Sequence, residues 1–163
     1  MPGRTYSHWF CVPEPQLRPG QPGDLHNIMS VDSSVSLNPW SEQSLVPYIR
    51  PSPAESHHAL VLEVDGELAG FLIFSRVLDE ASIDNVAVRP SLQGRGLGAA
   101  LLQGALRKMS RLGQQRCLLE VRESNVAARA LYEKNGFVVD GIRSRYYKTE
   151  HGREDALLMS RRL

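Results

Sequence analysis

Between Ala59 and Val121 the apolar residues change their spacing twice, from that of strands to that of an amphipathic helix and back, and this succession restricts the fold more than any other feature of the chain. The runs 59–64 and 67–74 flank Asp65-Gly66, a dipeptide suited to the left-handed backbone of a tight hairpin, and so predict two antiparallel strands. Residues 82–88 predict a third. From Gly98 to Leu112 the apolar positions Leu101, Leu102, Ala105, Leu106, Met109 and Leu112 follow helical spacing, and Gly113 is a natural stop. Residues 116–121 read as an apolar strand, 125–134 as a short helix closed by Asn135-Gly136, and 137–142 and 156–159 as further strands. This order of strands, helix, strand, helix and strands predicts an α/β (α+β) fold with a mixed sheet and helices on both faces.

A chain of 163 residues accommodates one such core and leaves too little for a second full-sized one. Upstream, a short strand over 16–18 leads to a helix capped by Asp24, with Leu25, Ile28 and Met29 on one face. A loop at 37–40 follows, and Ser41 can cap a second helix that should end near Pro47, because proline removes a donor and clashes with the preceding turn. Residues 51–58 read as a proline-bearing loop. Residues 1–14 lack any period and read as an extension, with Trp9 and Phe10 available to dock on a single domain over 15–163.

With a formal net charge of +1, no global field recruits nucleic acid or an acidic membrane, so an anion site must be built locally. The opening residues lack the apolar run of a signal peptide and no segment approaches a membrane span, which gives the expectation of a cytoplasmic protein. Cys11 and Cys117 are far apart and form no Cys-x-x-Cys pair, against both a disulfide framework and a zinc site. Cys117 fits an inert core residue, and His57 and His58 fit solvated loop positions, so no metal is expected.

The chemistry begins in Gln93-Gly94-Arg95-Gly96-Leu97-Gly98, which places three glycines directly before the long helix. Such a loop lets successive backbone N–H groups face outward at a helix N-terminus, where the dipole also favours negative charge, so that a pyrophosphate can be held without a charged surface. Arg95 can add an ion pair; a flexible turn is the plain alternative. Gly94, Gly96 and Ala99 also fit a dinucleotide-binding spacing with Glu120 as a ribose ligand, but residues 89–93 separate the strand from the first glycine, and the chain is short of a second nucleotide-binding half.

Val86-Ala87-Val88, residues 93–98, Leu119-Glu120-Val121-Arg122-Glu123-Ser124-Asn125, Ala130-Leu131-Tyr132-Glu133 and Asn135-Gly136-Phe137 together resemble the GNAT acetyltransferases. The resemblance runs from about residue 19 to 159 and takes in Pro39-Trp40-Ser41-Glu42 and the stretch 145–156, where it is similar to the branch that acetylates the N-terminal amine of a small-subunit ribosomal protein. It implies a GNAT acyl-CoA N-acyltransferase fold, with acetyl-CoA as donor and CoA as product. It further implies that Val86, Ala87 and Val88 pair with the pantetheine arm, that Gly94, Arg95, Gly96, Leu97, Gly98 and Ala99 cradle the pyrophosphate, and that Asn125 touches the cofactor. Glu120 matches the proton acceptor and Tyr132 the proton donor. Gly94 departs from relatives with a basic residue there, and the extension and the 51–58 loop also depart from the pattern.

Elementary chemistry agrees with these roles. An acceptor amine is largely protonated at neutral pH, so a base must take a proton before it attacks a thioester. Glu120 is a carboxylate in an otherwise apolar strand, costly to bury without purpose; a salt bridge to a neighbouring arginine is the alternative. Tyr132 lies on nearly the same helix face as Asn125 and can donate to a departing sulfur, or else be a core tyrosine. Freeing an α-amine at pH 7 costs about 1.4 kcal/mol against about 4.6 for a lysine, which favours a peptide or protein N-terminus as acceptor. Tyr146 and Tyr147, read as loop residues before the last strand, are candidates to bond its backbone and Pro39 and Trp40 to form the opposing wall, with packing aromatics as the plain alternative; Glu42, Glu154 and Asp155 are candidates to meet a basic segment, or else solvated surface charges. A small-molecule or lysine acceptor would keep the cofactor residues and change only the acceptor loops, whereas a non-catalytic CoA-binding module would need neither Glu120 nor Tyr132.

Overall fold

The computed structural model describes residues 13–50, 52 and 54–163; the segment 1–12, and with it Trp9, Phe10 and Cys11, lies outside the described residues. Seven strands form one sheet: β1 (Gln16–Pro19), β2 (His57–Val64), β3 (Glu67–Val77), β4 (Glu80–Val88), β5 (Arg116–Arg122), β6 (Val138–Thr149) and β7 (Gly152–Arg162). Their spatial order is β1-β2-β3-β4-β5-β7-β6, antiparallel throughout except for the parallel pair β4–β5. The β2–β3 turn is built as Asp65-Gly66 requires, with φ of 55° and 76°.

Helices cover both faces. On one side α3 (Leu97–Arg111) and α4 (Val126–Lys134) pack Leu101, Leu102, Ala105, Met109 and Tyr132 against Leu60, Leu72, Phe74, Leu119 and Met159. On the other, α1 (Leu25–Val35) and α2 (Glu42–Ile49) pack Ile28, Val31, Leu45 and Ile49 against Val61, Phe71 and Ile73. Adjacent residues of β2 and β3 point to opposite cores, which is why these strands read as continuous apolar runs.

Four expectations need correction. Asp24 precedes α1 but makes no side-chain cap; its carboxylate accepts from the Gln21 N–H and takes a two-pronged bond from Arg18 at 2.8 Å, so the ion pair wins over the cap. Arg18 holds that carboxyl below its ordinary range. Ser41 does cap α2, accepting from the Ser44 N–H, yet the helix runs through Pro47 to Ile49, because the single lost bond is offset by burial of Ile49. His57 and His58 belong to β2, where His58 stacks on Phe74 at 4.8 Å and His57 meets Tyr48 edge-on. Finally, β6 continues to Thr149, so Tyr146 and Tyr147 are strand residues; as an edge strand with mostly exposed side chains, β6 carries backbone pairing without an apolar alternation to reveal it.

Candidate active site

The site begins as a defect in the sheet. In the β3–β4 ladder Phe74 faces Ile83 and Ile73 faces Asn85, leaving Asp84 as the extra residue of a β-bulge. The parallel β4–β5 ladder holds only from Glu80↔Arg116 to Ile83↔Leu119 and stops where the bulge begins. A bulge sharpens the twist of its strand, and here it turns β4 away from β5. Beyond it residues 85–88 stay paired to β3, and 120–122 to β7, so the two strands diverge and leave a cleft lined by unpaired backbone N–H and C=O groups. Tyr48 donates to the Asp84 carboxylate at 2.8 Å and stabilises the bulge, while burial raises that carboxyl above its usual range. Val86 and Val88 pack into the α3 core and Ala87 into the α1/α2 core, which anchors the free edge from both sides.

Because β4 and β5 are parallel, the helices that follow them both start at the wide end of this cleft. The chain enters α3 through Gly94 and Gly96, both at φ 78°, a backbone that side-chain-bearing residues adopt only at a cost. A Cβ built on either glycine meets nothing within 4 Å, so conformation rather than packing demands glycine, and the space above the loop is open. Gln93 donates to the Val88 carbonyl at 3.0 Å and ties the loop to the strand end. The first bond of α3 runs from Ala100 to Gly96, so the N–H groups of Leu97, Gly98 and Ala99 have no partner within the helix, at the positive end of a 15-residue dipole. Arg95 is exposed beside them. Asn125 caps α4 by accepting from the Ala128 N–H at 3.2 Å, which commits its Oδ1 and leaves its Nδ2 for any cofactor bond.

Glu120 and Tyr132 lie on opposite faces of the sheet. Leu119 and Val121 point into the α3/α4 core, so Glu120 points to the other face, which α1 and α2 leave open at β5. Its side chain is 32% exposed and its Oε1 meets Arg143 at 3.4 Å, so the premise of burial is corrected: the carboxylate stands in an open groove, with the arginine partner that was the alternative. Tyr132 is buried at 5% exposure beneath the sheet, where burial pushes its hydroxyl up to about 12. A group reaching through the cleft would have the carboxylate on one side and the phenol on the other.

The irregular segment of β6 between Arg143 and Tyr147, with Arg145 at φ 52°, folds over the groove. Arg143 lies 5.2 Å from the Tyr146 ring centre, Arg122 lies 4.4 Å from that of Tyr147, and the two tyrosines meet edge-on at 5.0 Å. Burial, and then the charge of Glu120, raise the Tyr147 hydroxyl. Glu154 is engaged by Arg122 at 3.0 Å, whereas the Asp155 carboxylate accepts the Arg145 N–H through one oxygen, so of these two carboxylates Glu154 already has a cationic partner. Trp40 packs edge-on against Tyr48 at 5.8 Å over β4. Asp84 and Arg143 escaped the sequence reading; the only trace of the bulge is the polar pair Asp84-Asn85 breaking an apolar run, and Arg143 leaves none.

Other features stand apart. A cavity of about 670 Å³ opens at the far end of β5 among Arg116, Asp140 and Arg161, and neither Glu120, Tyr132 nor the glycine loop lines it. Cys117 is fully buried, with its thiol pushed up to about 12 by burial. Among the described residues no group of His, Cys, Asp or Glu is placed to hold a metal ion, and no helix is long and apolar enough to cross a membrane.

Comparison with known proteins bears on this cleft. Residues 24–137 match the model of the acetyltransferase (GNAT) family. Over 137 residues the chain is 39% identical to the ribosomal protein bS18-alanine N-acetyltransferase of Escherichia coli K12, covering 84% of this chain and 90% of that protein. It is 38% identical to a Bacillus subtilis protein described as a putative enzyme of the same name, over 83% of this chain and 87% of that one. The crystal structure of the Escherichia coli ribosomal-protein-S18-alanine N-acetyltransferase superposes with a TM-score of 0.85 at 36% identity, covering 91% of this chain and 94% of the other.

Proposed function

The chain belongs to the GNAT family of acetyltransferases, and from that premise we propose that it moves the acetyl group of acetyl-CoA to the N-terminal α-amine of a protein, of the RimI type, with a small-subunit ribosomal protein as acceptor. One observation supports the transfer: the β4/β5 cleft opens between a glycine loop whose following helix N–H groups are free and a groove with a carboxylate. The acceptor rests on the 39% identity to an enzyme named as a ribosomal protein bS18-alanine N-acetyltransferase. Such an acceptor places the protein in the cytoplasm, as one catalytic domain from residue 15 with 1–14 appended.

Acetyl-CoA, when bound, supplies an acetyl group activated as a thioester. The free edge of residues 86–88 would pair with the amides of its arm, and the N–H groups of Leu97, Gly98 and Ala99 with Arg95 would hold the pyrophosphate. The open space over Gly94 and Gly96 suits a group that must approach the backbone. From the open face Glu120 takes the proton that the acceptor nitrogen loses as the new C–N bond forms. Tyr132 would serve the leaving side, where the C–S bond must break and the sulfur takes up the negative charge. Burial holds its hydroxyl protonated, with a value of about 12, so Tyr132 would stabilise the departing sulfur by donating a hydrogen bond, and solvent would supply the proton that the thiolate finally takes. Tyr146 and Tyr147 bond the acceptor backbone from one wall, and Trp40 closes the other.

The test is mass spectrometry of a peptide library incubated with the protein and acetyl-CoA, set against identical peptides blocked at the N-terminus but carrying free lysines. Modification of free N-termini only is the expected result. Acetylation of the blocked set at a comparable kcat/KM, or of spermidine in place of both, would overturn it.

A further inference from the structure

We propose that Asp32 is a positioning residue for the acceptor: together with Asn85 it fixes the loop that bears Trp40 to the cofactor strand and so sets the width of the acceptor groove. This rests on the assignment of the β4/β5 cleft to acetyl transfer.

Asp32 lies in the last turn of α1 with 1% of its surface exposed. One carboxylate oxygen accepts the Trp40 N–H at 2.7 Å, and the other accepts Asn85 Nδ2 at 3.0 Å. Burying a carboxylate is expensive unless its oxygens are used, and here both are used on elements other than its own helix. Attachment of α1 needs no such group, because Ile28 and Val31, fully buried, already pack it on the sheet. The bonds therefore serve the loop and the strand. Asn85 is the first residue past the bulge, at the root of the edge that diverges from β5. The Trp40 ring packs beside Tyr48 at the edge of the α1/α2 core, but the connection that bears it is otherwise exposed, with Leu37 at 72%, so Asp32 is what ties its backbone down. In the sheet order β5 lies between β4, under Trp40, and β6, which carries Tyr146 and Tyr147, so Glu120 stands between the two walls on one face. Through Asp32, the wall on the β4 side is registered to the same strand that positions the thioester.

Initial-rate kinetics with acetyl-CoA and a peptide bearing a free N-terminus test this, alongside calorimetry of CoA binding. Loss of one buried bonded partner corresponds to about a tenfold effect, so Asp32→Ala should raise the peptide KM about tenfold while kcat stays within about threefold and CoA affinity within about twofold. Asn85→Ala, which removes one donor, should raise KM about threefold. The exchange Asp32→Asn with Asn85→Asp keeps an acceptor for the Trp40 N–H and a donor–acceptor pair between the side chains, and should bring KM back to within about threefold of wild type. An unchanged KM in Asp32→Ala would overturn the inference, and so would parallel losses of kcat and CoA affinity that the exchange fails to restore. If Asp32→Ala does not fold, Asn85→Ala and the exchange decide by the same criteria. A wild-type protein that acetylates lysine or a polyamine instead refutes the acceptor proposed above, and the Asp32 effect is then read on the KM of that amine.

Discussion

Replacing Gly96 by aspartate separates the two properties of the glycine loop, its backbone and its charge. At φ 78° any side chain strains the backbone by about 1–2 kcal/mol. In a domain of this size 1 kcal/mol corresponds to about 2–4 °C, so the apo variant should melt about 2–8 °C below wild type. No atom lies within 4 Å of the new Cβ, so no steric cost is added in the free protein. In the complex the carboxylate faces a pyrophosphate. Each pair of like charges near 4 Å costs about 1 kcal/mol at the dielectric of water and more where solvent is excluded, so two phosphate charges weaken binding by at least about 2–3 kcal/mol, or roughly 30- to 150-fold. The assay is thermal shift at a CoA concentration of about 100 times the wild-type Kd, where ligand adds about 2.7 kcal/mol, a rise of about 5–11 °C. After a hundredfold loss the same concentration adds only about 0.4 kcal/mol, or about 1–2 °C. Gly96→Asn supplies the neutral control, with the same strain and shape. A wild-type shift in Gly96→Asp would refute the loop as the phosphate site; equal losses in both variants would refute charge as the cause.

Three further outcomes follow from the geometry. Glu120→Gln should lower kcat by roughly 10²- to 10⁴-fold with CoA affinity unchanged, measured by steady-state rates and calorimetry, and a wild-type rate across about pH 6–9 would assign the proton to another base. Tyr132→Phe should lower kcat by about 10²-fold; since the hydroxyl titrates near 12, no alkaline limb below about pH 10 should belong to it, and loss of such a limb in the variant would contradict the bonding role. Arg18 depresses the Asp24 carboxyl, so the pair adds stability above the ordinary carboxyl range of about 4 and loses it as pH falls through the lower, folded-state value. Denaturant titration of Arg18→Met should thus show a larger deficit at pH 7 than at pH 3, and an equal deficit at both would sink the assignment.

What a linear chain can encode locally was legible: the hairpin at Asp65-Gly66, the helix stops at Gly113 and Gly136 and the glycine loop before α3 are all short-range conformational demands, and each appears in place. The mixed sheet with a core on each face followed from the order of periods. Glu120 and Tyr132 were identified through family likeness, but the environment inferred for Glu120 was wrong, because a strand of alternating burial looks apolar along the chain while one of its faces is open. β6 was cut short for a related reason: an edge strand is held by its backbone, and Arg143 to Thr149 carry no apolar pattern to announce it. Only the tertiary structure made the cleft, since a bulge at Asp84 is a mismatch between two strands and the splay of β4 from β5 follows from that mismatch. The same holds for Arg143 on Glu120 and for Asp32 on Asn85: these contacts span 23 and 53 positions of sequence, distances that only packing in three dimensions closes.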